Sequence, residues 1–280
     1  MQVSSQYPTG TLRALVTGAK GFIGSHLCDE LGGRGYCVVK VDKKHGGCDI
    51  FDHSRLNCLM HGVDYVFHLA GIPSVPFSIR RPLTMNHTHV TGTLNVLKAS
   101  ACADVKRFVF ASSASTKDCA SPYAASKLAG EAYCSAFTQS YGLPTVSLRY
   151  FNVYGPGQTS GVVAKFIRAA LDGKALEITG DGTQTRDFVY VKDVVKATAL
   201  AAEQGLSGVM EVGTGEAISI NSLAETVLRL TNSHSKVVHT EAQAGEAHDS
   251  VASDSCLSLH NWFSVYSLED GLAETIEAMK

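Results

Sequence analysis

Short apolar runs alternate with helical patterns through the first half of the chain. The runs at 12–17, 36–41, 63–69, 107–111 and 144–150 have the length and bounding turns of buried strands. Between them, 21–33, 86–103 and 121–141 repeat apolar residues at helical spacing, and the last is closed by Gly142 and Pro144. This alternation predicts an α/β fold built on a parallel, doubly wound sheet. After Gly155 the texture changes. A helix is expected over Gly161–Gly173, a turn at Asp181-Gly182-Thr183, and a strand at Phe188-Val189-Tyr190 leading into a helix up to about Gln204. One more strand–helix pair reads at Val209–Val212 and Ile220–Leu230, and the remainder is more polar and irregular.

The first strand runs into Thr17-Gly18-Ala19-Lys20-Gly21-Phe22-Ile23-Gly24 and then a helical pattern. A strand, a glycine turn and a helix start in that order bring backbone N–H groups to a pyrophosphate, as in Rossmann sheets. Gly18 permits the turn, Gly21 close approach and Gly24 helix-to-sheet packing. The next strand ends on Asp42, where a carboxylate can accept from adenosine ribose hydroxyls. That favours NAD over NADP, with Lys43 and Lys44 weakening the exclusion of a 2′-phosphate.

A Tyr-x-x-x-Lys pair, Tyr123 and Lys127, follows Ser121-Pro122, a cap and a first-turn proline. On a helix the two side chains share one face, and a cation there makes the phenol usable as a base near neutral pH. Tyr36 and Lys40 have the same spacing in an apolar run that reads as a strand, where they stand roughly 13 Å apart. Context selects Tyr123.

The 280 residues can bury a full core, and the formal charge of −2 comes with no basic stripe for nucleic acid. No apolar run approaches the length of a membrane span, and the polar stretch Met1–Thr11 lacks a signal-peptide core, so a loose end is expected there. Eight cysteines without a Cys-x-x-Cys fit a reducing cytoplasm, and the scattered histidines, His87 and His89 included, predict no metal site.

With these landmarks in place the chain resembles the extended short-chain dehydrogenase/reductase family, in particular nucleotide-sugar 4-epimerases. The resemblance runs from Leu12 to about Gly215, with a weaker match through Ile276. Besides the glycine turn it is carried by Phe67-His68-Leu69-Ala70-Gly71, Ser112-Ser113, Tyr123/Lys127, Arg149-Tyr150-Phe151-Asn152-Val153-Tyr154-Gly155-Pro156, and Gly180 to Phe188. It implies bound NAD, held by Gly18, Gly21, Phe22, Ile23, Gly24 and Asp42, with Asp49 and Ile50 at the adenine. Leu69, Ala70 and Gly71 would pass beneath the pyrophosphate, and Thr88 and Phe151 would lie toward the nicotinamide. Tyr123 would be the base, Lys127 would tune it and hold the nicotinamide ribose, and Ser113 would bridge Tyr123 to the sugar. Asn152 and Arg186 would hold the substrate. From the residues alone, Arg186 also fits a solvated surface charge and Ser113 a strand-end hydroxyl bonded to backbone.

The resemblance divides the chain into an NAD-binding Rossmann domain, 1–155 plus about 188–212, and a smaller, partly discontinuous substrate domain, about 156–187 plus 213–280. It implies C4 epimerisation of a nucleotide sugar, a UDP-hexose foremost, by a homodimer. The alternatives are a sugar-nucleotide reductase or dehydratase, or an inactive nucleotide-binding module. Dehydratases of this family carry an Asp-Glu pair after the catalytic hydroxyl, and the decarboxylases a glutamate; here Ala114 and Ser115 stand there. Four departures stand out: a separation of only seven positions from Asp42 to Asp49, a short 114–120 loop, His89 in place of an asparagine, and no arginine in Ala244–Asp249, where His248 is the substitute.

Overall fold

The computed structural model describes residues 10–241, 248–253 and 262–280. The expected loose end over Met1–Thr11 and the segment 244–247 therefore lie largely outside the described residues, as does Cys256. Two compact units emerge. The first comprises Met1–Ser112, Ser121–Leu148 and Thr198–Val209, and the second Ser113–Ala120, Arg149–Ala197 and Met210–Lys280.

A six-stranded sheet runs in the order Cys37–Val41, Arg13–Thr17, Tyr65–His68, Arg107–Ser113, Thr145–Tyr150, Gly208–Val212. Its first four strands pair in parallel. Leu15, Val16, Val66, Phe67, Phe108, Val109, Val146 and Leu148 are fully buried, because a parallel sheet is covered on both faces and its strands become near-continuous apolar runs. The edge strand Cys37–Val41 is less covered. The chain reverses direction across the sheet after Cys37–Val41, so Arg13–Thr17 and Tyr65–His68 flank a topological switch point, the place where such sheets bind ligands. The short passage from Asp42 to Asp49 adds no strand outside Cys37–Val41.

The helix Pro122–Tyr141 begins where Ser121 accepts the Ala124 N–H at 3.2 Å. Gly130 lets it lie close to the sheet: a Cβ there would sit 2.4 Å from Phe110 Cζ. The helix expected over 86–103 differs in form. It is a short helix Pro82–Asn86, a π-helical turn His87–Thr91 and a helix Gly92–Cys102. Two further helices of this unit, His53–Met60 and Val75–Arg80, were not expected, being short and bearing few buried residues.

In the second unit Asn152–Tyr154 pairs in parallel with Phe188–Tyr190. The stretch expected to be irregular contains more order than its polarity suggests. Val237–Thr240 pairs with Leu176–Thr179, and Ser267 caps a helix over Leu268–Glu277. Among the described residues no helix is long and apolar enough to cross a membrane.

Candidate active site

Thr17 ends the first strand, and Gly18 turns the chain at φ +69°, a backbone region closed to most side chains. A Cβ on Gly18 would lie 2.9 Å from Ala70 N, so the glycine turn and the segment after Tyr65–His68 touch backbone to backbone. At Gly24 a Cβ would fall 2.1 Å from the Gly18 carbonyl oxygen. The helix Phe22–Gly33 has Gly21 as its cap and no capping side chain, which leaves its first-turn amides open to an anion.

Asp42 stands at the end of the second strand. Its Oδ2 accepts the Lys20 N–H and its Oδ1 the Lys44 N–H, both at 2.9 Å. A carboxylate has about four acceptor positions, so two backbone bonds leave room for ribose hydroxyls. Asp49 Oδ1 accepts the Phe51 N–H at 3.1 Å, and Ile50 is buried with its side chain against Gly92. Thr88 is half-buried in the π-helical turn, beside His87, whose ring stacks on Phe51 at 4.2 Å. The open glycine cradle, the uncapped helix and the carboxylate beside it fit a dinucleotide.

Tyr123 and Lys127 lie one turn apart on the Pro122–Tyr141 helix. Lys127 is only 7% exposed; its Nζ donates to the Ala111 carbonyl at 2.7 Å and lies 5.0 Å from the centre of the Phe110 ring. Burial pushes this ammonium down to about 8, against the opposing influence of Cys134 and Glu131. Glu131, one turn further, is buried and accepts from Ser112 Oγ. Tyr123 is half-buried, with its ring edge-on to His89 at 5.6 Å.

In the second unit Ser113 Oγ is 2.9 Å from Ser115 Oγ and accepts the Ser115 N–H at 3.3 Å, capping the turn Ala114–Thr116. Asn152 and Arg186 are brought into one neighbourhood. Asn152 donates to the Asp187 carbonyl from its backbone at 2.9 Å and from Nδ2 at 3.2 Å, while Arg186 Nη1 donates to the carbonyls of Thr185 and His248. Phe151 donates its amide to Val212 O, and Lys117 Nζ lies 5.3 Å from its ring centre. Asp187, fully buried, accepts from the amides of Thr214, Gly215 and Ala252 and from the Thr214 hydroxyl. Sequence reasoning did not single out Asp187, although it lies inside the Gly180–Phe188 motif. It also gave no role to His68 or Glu131, and saw His89 as a departure and as no metal ligand. Their partners are distant in sequence and leave no local signal.

A parallel sheet with a switch point, a glycine turn opening an uncapped helix, and a tyrosine–lysine helix define a dinucleotide-dependent enzyme of the short-chain dehydrogenase/reductase kind. The chain belongs to the NAD dependent epimerase/dehydratase family, whose sequence model matches residues 14–213. It is 35% identical over 267 residues to a UDP-N-acetyl-alpha-D-glucosaminuronate decarboxylase of Bacillus cytotoxicus, covering 81% of this chain and 83% of the relative. The crystal structure of a Thermotoga maritima UDP-glucose 4-epimerase with UDP-glucose superimposes with a TM-score of 0.90 at 34% identity, over 96% of this chain and 98% of that one. The UDP-glucose 4-epimerase of Thermus thermophilus in complex with NAD gives a TM-score of 0.88 at 33% identity, over 95% and 98%.

Proposed function

We propose that this chain is an NAD-dependent 4-epimerase acting on a UDP-hexose. The observation that carries the reading is the Tyr123/Lys127 pair on one helical turn, with Lys127 buried and fixed to Ala111 O, beside a cradle that fits a dinucleotide. Tyr123, as phenolate, accepts the C4 hydroxyl proton, with Ser113 as relay. Bound NAD supplies a reversible hydride acceptor for C4. After the 4-keto sugar turns over in its site, the hydride would return to the other face of C4 as Tyr123 returns the proton to the oxygen, so that C4 is inverted. Lys127 lowers the cost of the phenolate, and Asn152 and Arg186 hold the nucleotide portion. The cofactor domain would comprise 1–155 plus about 188–212, and the substrate domain about 156–187 plus 213–280.

A second reading is favoured by the decarboxylase relative: a UDP-hexuronate would be oxidised at C4 and lose CO2. Ala114 and Ser115 occupy the places where that chemistry uses a glutamate, so epimerisation is preferred. Incubation with a panel of UDP-hexoses, UDP-N-acetylhexosamines and UDP-hexuronates, followed by NMR of the products, tests both. A C4 epimer supports the first reading and a UDP-pentose the second; no product from any sugar overturns both and leaves a binding module.

We also propose a homodimer. Ile79, Leu83, Leu128 and Tyr133 are 61%, 85%, 39% and 37% exposed on the Val75–Arg80, Pro82–Asn86 and Pro122–Tyr141 helices. Val96 and Leu97 on the helix Gly92–Cys102 are fully buried within the core and take no part in that exposed face. A light-scattering mass of one chain at micromolar concentration would overturn the dimer.

A further inference from the structure

His68 and His89 are buried in the first unit, at 1% and 2% exposure, and take no part in the proton transfer described above. Their hydrogen bonds admit one arrangement of protons. Thr17 Oγ1 accepts the N–H groups of Leu69 and Ala70, each at 3.1 Å, so its own hydrogen goes to His68 Nδ1 at 2.7 Å. Thr93 Oγ1 donates to the His89 carbonyl and is therefore the acceptor for His68 Nε2, 3.0 Å away. His68 is thus a neutral imidazole protonated on Nε2. His89 is the reverse. Its Nε2 accepts the Ile72 N–H at 2.8 Å, which puts the ring proton on Nδ1, directed at Ser126 Oγ at 2.9 Å. Ser126 in turn donates to the Tyr123 carbonyl at 2.7 Å.

The position of His89 makes this more than local bonding. It projects from the π-helical turn His87–Thr91, a feature frequent at functional sites. Its Nε2 lies against Gly71, where a Cβ would approach to 2.9 Å, and its ring meets Tyr123 edge-on. One side chain therefore touches the Gly71–Ile72 turn and the first turn of the helix bearing the base.

We propose that His89 is a positioning residue: its Nδ1-protonated ring couples the Gly71–Ile72 turn to the Tyr123 end of the Pro122–Tyr141 helix, so that one side chain sets both the cofactor seat and the base. The inference rests on the reading of Tyr123 as base and of Leu69–Gly71 as the cofactor turn. Burial, with Lys127 and His68 nearby, holds the His89 ring down to about 2, so it adds no second cation beside Lys127. Asparagine at this place is shorter. If its amide took the Ser126 partner, the Ile72 N–H would lose the acceptor that His89 gives it.

The test begins on the wild-type protein as purified, labelled with 15N-histidine. Long-range proton–nitrogen correlation should show His68 and His89 as opposite tautomers, neither titrating between about pH 5 and 8. Two like tautomers, or a His89 ring that titrates near its ordinary value, would overturn the proposal. His89→Leu fills the space without either bond. It should weaken NAD binding by calorimetry about tenfold and lower kcat with little change in KM for the sugar. His89→Asn should recover kcat more fully than NAD affinity. If His89→Leu binds NAD within about twofold of the wild type at unchanged kcat, the positioning role is wrong. The spectra and the calorimetry need no sugar, so failure of the epimerase reading registers separately.

Discussion

Tyr36/Lys40 and Tyr123/Lys127 share one spacing and have opposite surroundings. Tyr36 precedes the edge strand Cys37–Val41, its hydroxyl donates to Glu203 Oε1 at 3.0 Å, and Lys40 is exposed. Burial and then the Glu203 carboxylate push the Tyr36 phenol well above its ordinary value. Tyr123 instead stands one helical turn from a lysine that is buried, held at Nζ and pushed down to about 8. An ionised phenol is opposed at the first place; the second places its phenol one helical turn from a fixed cation. The same four-residue spacing thus lies on a helix with a fixed, buried lysine at one place and runs into an edge strand with an exposed lysine at the other.

The largest expected effect separates the two tyrosines. Tyr123→Phe removes the ionisable oxygen and keeps the ring, and loss of a positioned acid–base group costs about 10²–10⁴-fold in rate. NAD binding by calorimetry and the melting temperature should stay near wild type. Ser113→Ala should cost less, since in the proposed mechanism it would remove a relay and leave the proton acceptor. Near-normal epimerisation of a UDP-hexose by Tyr123→Phe would break the comparison at its root.

The two lysines come next. Lys127→Met should lower both turnover and NAD affinity, whereas Lys40→Met should change neither. The wild-type rate should also fall as pH rises through about 8, where Lys127 loses its charge. The stability sign is opposite. The folded value lies below the ordinary lysine value, so between the two the unfolded chain binds the proton more tightly. The fold therefore carries a cost for the buried charge at neutral pH, and Lys127→Met should raise the melting temperature while it lowers turnover. Equal losses of rate in both lysine variants would show that burial of Lys127 is incidental.

What the sequence made legible follows the same division. The strands of the first unit could be read because Leu15, Phe67 and Val109 belong to short apolar runs closed by turns, and both faces of a parallel sheet are buried. Tyr123 and Lys127 could be read because Ser121 and Pro122 mark a helix start. The helix His53–Met60 was hidden: it buries only Leu56 and Met60, too few to show a period, although Asp52 accepts from Arg55 N as a cap. The pairing of Leu176–Thr179 with Val237–Thr240 joins segments some sixty residues apart. The helix Leu268–Glu277 was legible in principle, since Ser267 with Asp270 three residues on is a capping signal. The role of His89 was not, because Ile72 and Ser126 meet it only once the sheet and its helices are assembled.

A smaller effect concerns acid. Burial pushes His68 down to about 3 and His89 to about 2, while both return to ordinary values on unfolding. Below the ordinary histidine value the unfolded chain takes up protons that the fold refuses, so stability is present above it and lost as pH falls. The slope is at most about 1.4 kcal/mol per pH unit for each histidine. Denaturant titrations at about pH 7 and about pH 5.5 measure it, and His89→Leu should flatten the difference by up to half. No change in slope for that variant would mean that His89 is protonated in the fold and that the region around Lys127 is wetter than the burial of its side chains indicates.

The smallest effect belongs to Tyr36. Tyr36→Phe loses one partly exposed hydrogen bond to Glu203, and Glu203 keeps its ion pair with Arg34 at 2.7 Å, so no buried acceptor is stranded. Such a bond contributes about 1 kcal/mol or less. The variant should therefore melt slightly lower than the wild type, bind NAD equally well and turn over sugar at the wild-type rate. Tyr123→Phe should show the reverse, an intact fold with a lost reaction. The pair of variants thus forms a double dissociation: one tyrosine affects stability without rate, the other rate without stability. A tenfold fall in turnover for Tyr36→Phe would show that the shared spacing carries function at both places, and the contrast between helix and strand would no longer explain why only one tyrosine is the base.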